Sequence, residues 1–182
     1  MSKIIYGIIY KFPLIYIIYA MLLIALLWSY LRCVSRKSLR RNIIWKCGNA
    51  LIFLGILAIV IRITLYTRRS GATEVILFPL HSFVEAKTQP EMYRSLLMNV
   101  FLFFPIGLSM PNVLPKKWKH SVLVTIIFAF IFSTGVEFLQ YYYLLGRAEV
   151  DDVLCNTFGC MLGSISYKIE TIFLGKQSLQ QK

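Results

Sequence analysis

From Phe12 to Leu31 the chain carries no charged residue. A helix needs about 20 apolar residues to cross a bilayer, and lipid offers no hydrogen bonds to an open backbone, so such a run has few folds available to it. Comparable runs recur at Ile43–Ile61, Ser95–Leu114, Ser121–Tyr143 and Val150–Phe173. The pattern predicts an all-α membrane protein, a bundle of about five transmembrane helices. Only 15% of the residues are charged, where a soluble domain has about a quarter. Lys3 and Lys11 precede the first run as they would in a signal peptide, but no small-x-small cleavage site follows. The run is therefore read as a retained helix.

The net charge is +12. Nucleic-acid binding is excluded as the reason, because the basic residues cluster at the ends of apolar runs, in Arg32–Arg41 and Pro115–His120. That placement fits orientation by the positive-inside rule, or a specific anionic-lipid site. Five spans put the termini on opposite sides. The expectation is a multi-pass protein of the bacterial cell membrane, N-terminus outside and C-terminus cytoplasmic. Cys33, Cys47, Cys155 and Cys160 form no C-x-x-C and no Cys/His cluster, so they read as small apolar fillers with no metal and no cofactor implied.

Between the second and third runs lies a long connection, roughly Thr64 to Arg94. Its middle, VILFPLHSFVEA, is apolar but too short to span, and Pro79 would interrupt a helix there. An interfacial or re-entrant segment is expected. His81, alone in it, reads as a surface or hydrogen-bonded residue.

The polar residues concentrate in Ser133–Gly163. Glu137, Gln140 and Tyr141 share one face of the fourth run, by their spacing of three and four. Asp152, Asn156, Gly159 and Gly163 make a stripe on the fifth, and Gly159 and Gly163 form a G-x-x-x-G suited to close helix approach. Asn99, Phe103 and Gly107 align on the third, where Pro105 is expected to kink the helix and free a carbonyl. With the expected orientation, Asn99, Glu137, Gln140, Asp152 and Asn156 meet at one depth, near the outer headgroup layer. Arg147 lies in the turn between the last two runs.

These residues also carry a family resemblance. Asn99 with FxxFPIG, E-x-x-Q at Glu137 and Gln140, G-R at Gly146 and Arg147, then Asp152, Asn156, Gly159 and Gly163 resemble the VanZ-like family over roughly Ile76 to Tyr167. The family core resembles four helices. On that reading residues 1–41 are an added helix and basic loop, 42–175 the core and 176–182 a polar tail. An Asn usual in the family's first connection is replaced by Ile76, and an Asp after the turn glycine by Glu149. The resemblance implies glycopeptide (teicoplanin-type) antibiotic resistance or cell-envelope physiology, and no known reaction.

Three readings of the polar residues stay open. Asn99, Glu137, Gln140, Arg147, Asp152 and Asn156 form a binding site for membrane lipid, a lipid-linked cell-wall precursor or a glycopeptide, with Arg147 contacting phosphate or carboxylate. Alternatively Glu137 and Asp152 divide into general acid and base of a membrane enzyme, although no nucleophile motif accompanies them. Or the polar residues hydrogen-bond to one another and lock the bundle. Transport is disfavoured because no second half mirrors the motif.

Overall fold

The computed structural model describes residues 14–35, 39–66, 74–89, 91–115 and 120–180. Lys3, Lys11, Arg68, Arg69 and the middles of both basic loops, 36–38 and 116–119, lie outside the described residues, as do 181–182 at the end of the polar tail. In chain order the elements are α1 (Leu14–Ser35), α2 (Leu39–Ile61) with a π-helical turn (Arg62–Tyr66), β1 (Val75–Ile76), α3 (His81–Glu85), α4 (Glu91–Val113), α5 (Ser121–Tyr142), β2 (Ala148–Glu149) and α6 (Val150–Gln180).

The chain is an all-α membrane bundle. Four segments are long and apolar enough to cross a membrane: Leu14–Ser35, Arg40–Leu65, Glu91–Val113 and Ser121–Tyr142. The fifth expected span, α6, forms a helix of 31 residues but is less apolar. Its polar residues explain the difference, since Asp151, Asn156 and Ser164 are buried in the bundle while Leu154, Phe158 and Ile165 face outward. The helix also continues past Phe173 to Gln180.

α4 and α6 meet backbone to backbone. A Cβ built on Gly107 would lie 2.0 Å from the Cys160 carbonyl oxygen; one on Gly159, 2.1 Å from that of Val100; one on Gly163, 2.2 Å from that of Phe104. The G-x-x-x-G motif thus works within the bundle, with Gly107 supplied from the facing helix. Pro105 and Pro111 sit inside α4 without ending it. Around this crossing Leu96, Val100, Phe104 and Leu108 pack with Met21 and Trp28 of α1, and Phe103 and Ile106 pack with Val60, Ala129 and Cys160. The outward faces of α1, α2 and α5 expose large apolar side chains such as Leu23, Leu51 and Ile131, as lipid contact requires. All four cysteines are free, two of them, Cys155 and Cys160, buried.

Residues 74–89 of the long connection fold back over the end of the α5–α6 hairpin. β1 pairs in parallel with β2, Val75 opposite Ala148 and Ile76 opposite Glu149. This short ladder is the one departure from a purely helical fold among the described residues, and nothing in the local sequence announces it. Pro79 falls in the turn between β1 and α3, as its ring dictates. Leu77, Phe78, Leu80 and Val84 are exposed, an apolar outer surface that suits an interfacial strap.

Candidate functional site

The site is built on the turn that closes the hairpin. α5 ends where the Leu145 N–H donates to the Gln140 carbonyl (2.8 Å). Gly146 follows at φ 100°, a conformation that side chains with a Cβ rarely adopt. The reversal sends Arg147, Glu149 and Asp151 back toward the strap.

The residues expected to converge do reach one end of the bundle, but each is tied to its own neighbour. Asn99 Nδ2 donates to Asp152 Oδ1 (2.6 Å), and Asn156 Nδ2 to Ser133 Oγ (2.8 Å). Glu137 Oε2 accepts the Glu149 backbone N–H at 3.0 Å. Gln140 Nε2 donates to the Thr64 carbonyl in the π-helical turn at 3.3 Å. Glu137, Gln140 and Asn156 are buried, while Asn99 and Asp152 are half-buried. Tyr141 does not share their face; it points outward, 52% exposed. The inward face of α5 is narrow at this end, and one residue beyond Gln140 the helix has already turned about 100°.

Arg147 bridges three acids. Its Nη2 lies 2.9 Å from Glu85 Oε2, and its Nε lies 3.1 Å from Glu149 Oε1 and 3.4 Å from Glu74 Oε2. Asp151, buried, accepts two strap amides, Leu80 N–H at 2.6 Å and Ser82 N–H at 2.7 Å. The buried Ser82 hydroxyl donates to Glu149. Leu80 holds φ 65°, a left-handed conformation that costs about 1–3 kcal/mol in a residue with a Cβ, and the Asp151 carboxylate secures it. Glu74, Ser82 and Glu85 were not singled out by sequence reasoning, and Asp151 was read as one of the polar residues gathered at the hairpin but given no role. The one available signal was the Asp151-Asp152 doublet at a helix start. Adjacent helical residues point about 100° apart, so both acids cannot serve the same stripe.

Beside this clamp lies a cleft of about 250 Å³, lined by Val75 and Leu77 of the strap, Thr134, Glu137, Phe138 and Tyr141 of α5, and Ala148, Glu149, Val150 and Val153. Its walls are almost wholly apolar, and it opens past Leu77, Phe138 and Tyr141, all exposed. Of the two candidate acid–base residues only Glu137 lines it; Asp152 instead accepts from Asn99. Among the described residues no group of His, Cys, Asp and Glu side chains has metal-holding geometry.

The hydrogen bond from Arg147, helped by its charge, holds the Glu85 carboxyl below the ordinary carboxylate range, and the same contact raises the Arg147 pKa. A folded pKa below the unfolded one gives stability that is fully present above the ordinary Glu value, about 4.3, and is lost as pH falls through the lowered value. The contribution of the Arg147–Glu85 pair to the strap's hydrogen-exchange protection is therefore expected to be intact at pH 5 and lost in stronger acid. Glu85→Gln should remove that pH dependence from strap residues 80–86.

A family model described as VanZ/LLP1 matches residues 12–173. The Protein VanZ of Enterococcus faecium is 28% identical over 90 residues, which is 49% of this chain and 53% of that protein. The match thus spans about half the length of each. No solved structure matches.

Proposed function

This chain belongs to the VanZ/LLP1 family, and from that premise we propose that it contributes to glycopeptide (teicoplanin-type) resistance in a bacterial cell membrane by holding a lipid-linked envelope ligand at the acidic end of the bundle. The observation that carries this reading is the apolar cleft with Glu137 and Glu149 on its wall and Arg147 beside them. Its volume, below the roughly 300–1,000 Å³ of a drug-sized site, suits part of a hydrocarbon chain, leaving a polar headgroup at the Arg147 rim. An arginine can meet phosphate or carboxylate bidentately. Of the chain's eight acids, Glu74, Glu85, Glu137, Glu149, Asp151 and Asp152 gather here. In the sequence the basic residues are denser toward the opposite end, and the positive-inside rule then supports an outward-facing acidic end.

A second reading has its own support. Asn99, Gln140, Asp152 and Asn156 bond to protein partners, so they lock helices whatever the cleft does. The two readings part on one variant. Thr134 is exposed on α5 and lines the cleft, so Thr134→Trp fills the cleft without touching the core. We expect drug susceptibility to return to that of cells lacking the protein, at unchanged membrane abundance. Full protection by Thr134→Trp would contradict the cleft as the working site.

A further inference from the structure

Among the described residues the opposite end of the bundle holds two buried N–H groups without acceptors. Trp28 and Arg32 lie one turn apart on α1, 9% and 8% exposed. Neither Trp28 Nε1 nor Arg32 Nη1 has a hydrogen-bond partner among the described residues. Buried polar groups are nearly always satisfied, so two neighbouring orphans of the same kind point to an absent partner. The rest of each side chain is held in place. Arg32 Nε pairs with Glu170 Oε1 at 3.1 Å, and its guanidinium sits 4.5 Å from the centre of the Tyr167 ring. The Trp28 ring meets Trp45 edge-on, centroids 5.6 Å apart, and Trp45 Nε1 donates to Asn112 Oδ1.

Both orphans are N–H donors, so the missing partner brings acceptor oxygens. The Arg32–Glu170 pair cancels locally, yet Lys168, Arg40 and Arg41 are exposed on the neighbouring ends of α6 and α2, favouring an anion. Arg32 stands in the last turn of α1, at the depth where a membrane helix meets headgroups. We propose that the α1–α6 junction binds the phosphate of an anionic phospholipid, with Trp28 Nε1 and Arg32 Nη1 donating to its oxygens. The first helix is then a lipid-reading element, separate from the cleft at the acidic end.

The test uses the full chain reconstituted in nanodiscs of phosphatidylglycerol and phosphatidylcholine, with retained lipid counted by native mass spectrometry after extraction. Trp28→Phe keeps the ring and removes the N–H. Arg32→Lys keeps the charge that faces Glu170 and removes the spare donor. The wild type should retain phosphatidylglycerol in preference to phosphatidylcholine, and each variant should bind it roughly tenfold more weakly, the loss of one charge-assisted hydrogen bond. Millimolar inorganic phosphate should not displace it. Equal retention by wild type and both variants would overturn the proposal. So would phosphate binding that depends on Trp28 and Arg32 in the absence of retained phospholipid, which would make free phosphate the ligand.

Discussion

Replacing Gly159 by leucine is expected to leave no folded protein in the membrane. At this position a single added carbon would lie 2.1 Å from the Val100 carbonyl oxygen and 2.8 Å from the Val100 Cα. Backbone cannot rotate away as a side chain can, so α4 and α6 would have to separate. Overpacking of this kind costs typically 1–3 kcal/mol for a methylene or two, and Gly159→Ala should fall in or above that range. Leucine adds three further carbons and exceeds what a protein of marginal stability, about 5–15 kcal/mol, can absorb. Separation would also pull apart the Asn99–Asp152 hydrogen bond, which joins the same two helices. The internal control is Gly55, which has nothing within 4 Å of an added Cβ. Gly55→Ala should be neutral or stabilising by up to about 1 kcal/mol, the helix propensity difference. Quantifying each variant in the membrane fraction, and by thermal unfolding in detergent, checks the series.

Asp151→Ala is expected to be the most damaging change among the acids, well above Asp152→Asn. Asp151 is 2% exposed and accepts from two backbone amides of the strap. Hydrogen bonds to a charged group contribute about 1.5–3 kcal/mol each, and the alanine variant leaves both amides without this acceptor, the Ser82 amide in a buried position. The predicted loss is on the order of 3–5 kcal/mol, with release of the left-handed turn at Leu80. Asp152 is half-buried, and Asp152→Asn keeps an oxygen that can accept from Asn99, so the variant loses only the charge assistance, about 1 kcal/mol. Hydrogen exchange should show the contrast by place as well as size. Asp151→Ala should strip protection from residues 80–86, and Asp152→Asn should leave the strap protected. Equal effects on the strap would show that Asp151 does not anchor it.

The contrast between these two acids marks how far the sequence could be read. Helix positions followed from apolar runs, because burial in lipid demands length and apolarity that are visible residue by residue. The glycine contact followed too, since the spacing of Gly159 and Gly163 defines a face and small residues on a face invite a neighbour. Asn99, Glu137, Gln140, Asp152 and Asn156 were traceable to one end of the bundle for the same periodic reason. Their partners were not. Asp151 with Ser82, Arg147 with Glu85 and Gln140 with Thr64 join residues more than sixty positions apart, and a local period says nothing about which distant element arrives. The strap itself was expected from Pro79 and the short apolar stretch around it. Its parallel pairing with Ala148–Glu149 was not, because two residues are too few to show a strand pattern. Ile76 stands where the resemblance implies an Asn. The strap's polar contacts to Asp151 and Glu149 come from backbone amides and from Ser82, none of which needs a polar side chain at 76.

The proposed role requires the cleft beside Glu137 and Arg147 to hold the chain of a lipid-linked envelope species. The most direct measurement is mass spectrometry of the lipids that copurify with the wild type and with Thr134→Trp, extracted gently from cells building wall. A lipid-linked species should be enriched with the wild type over its level in the bulk membrane and lost from the filled-cleft variant. Identical lipid profiles for the two proteins would contradict it and leave the polar residues as the locks of a helical scaffold.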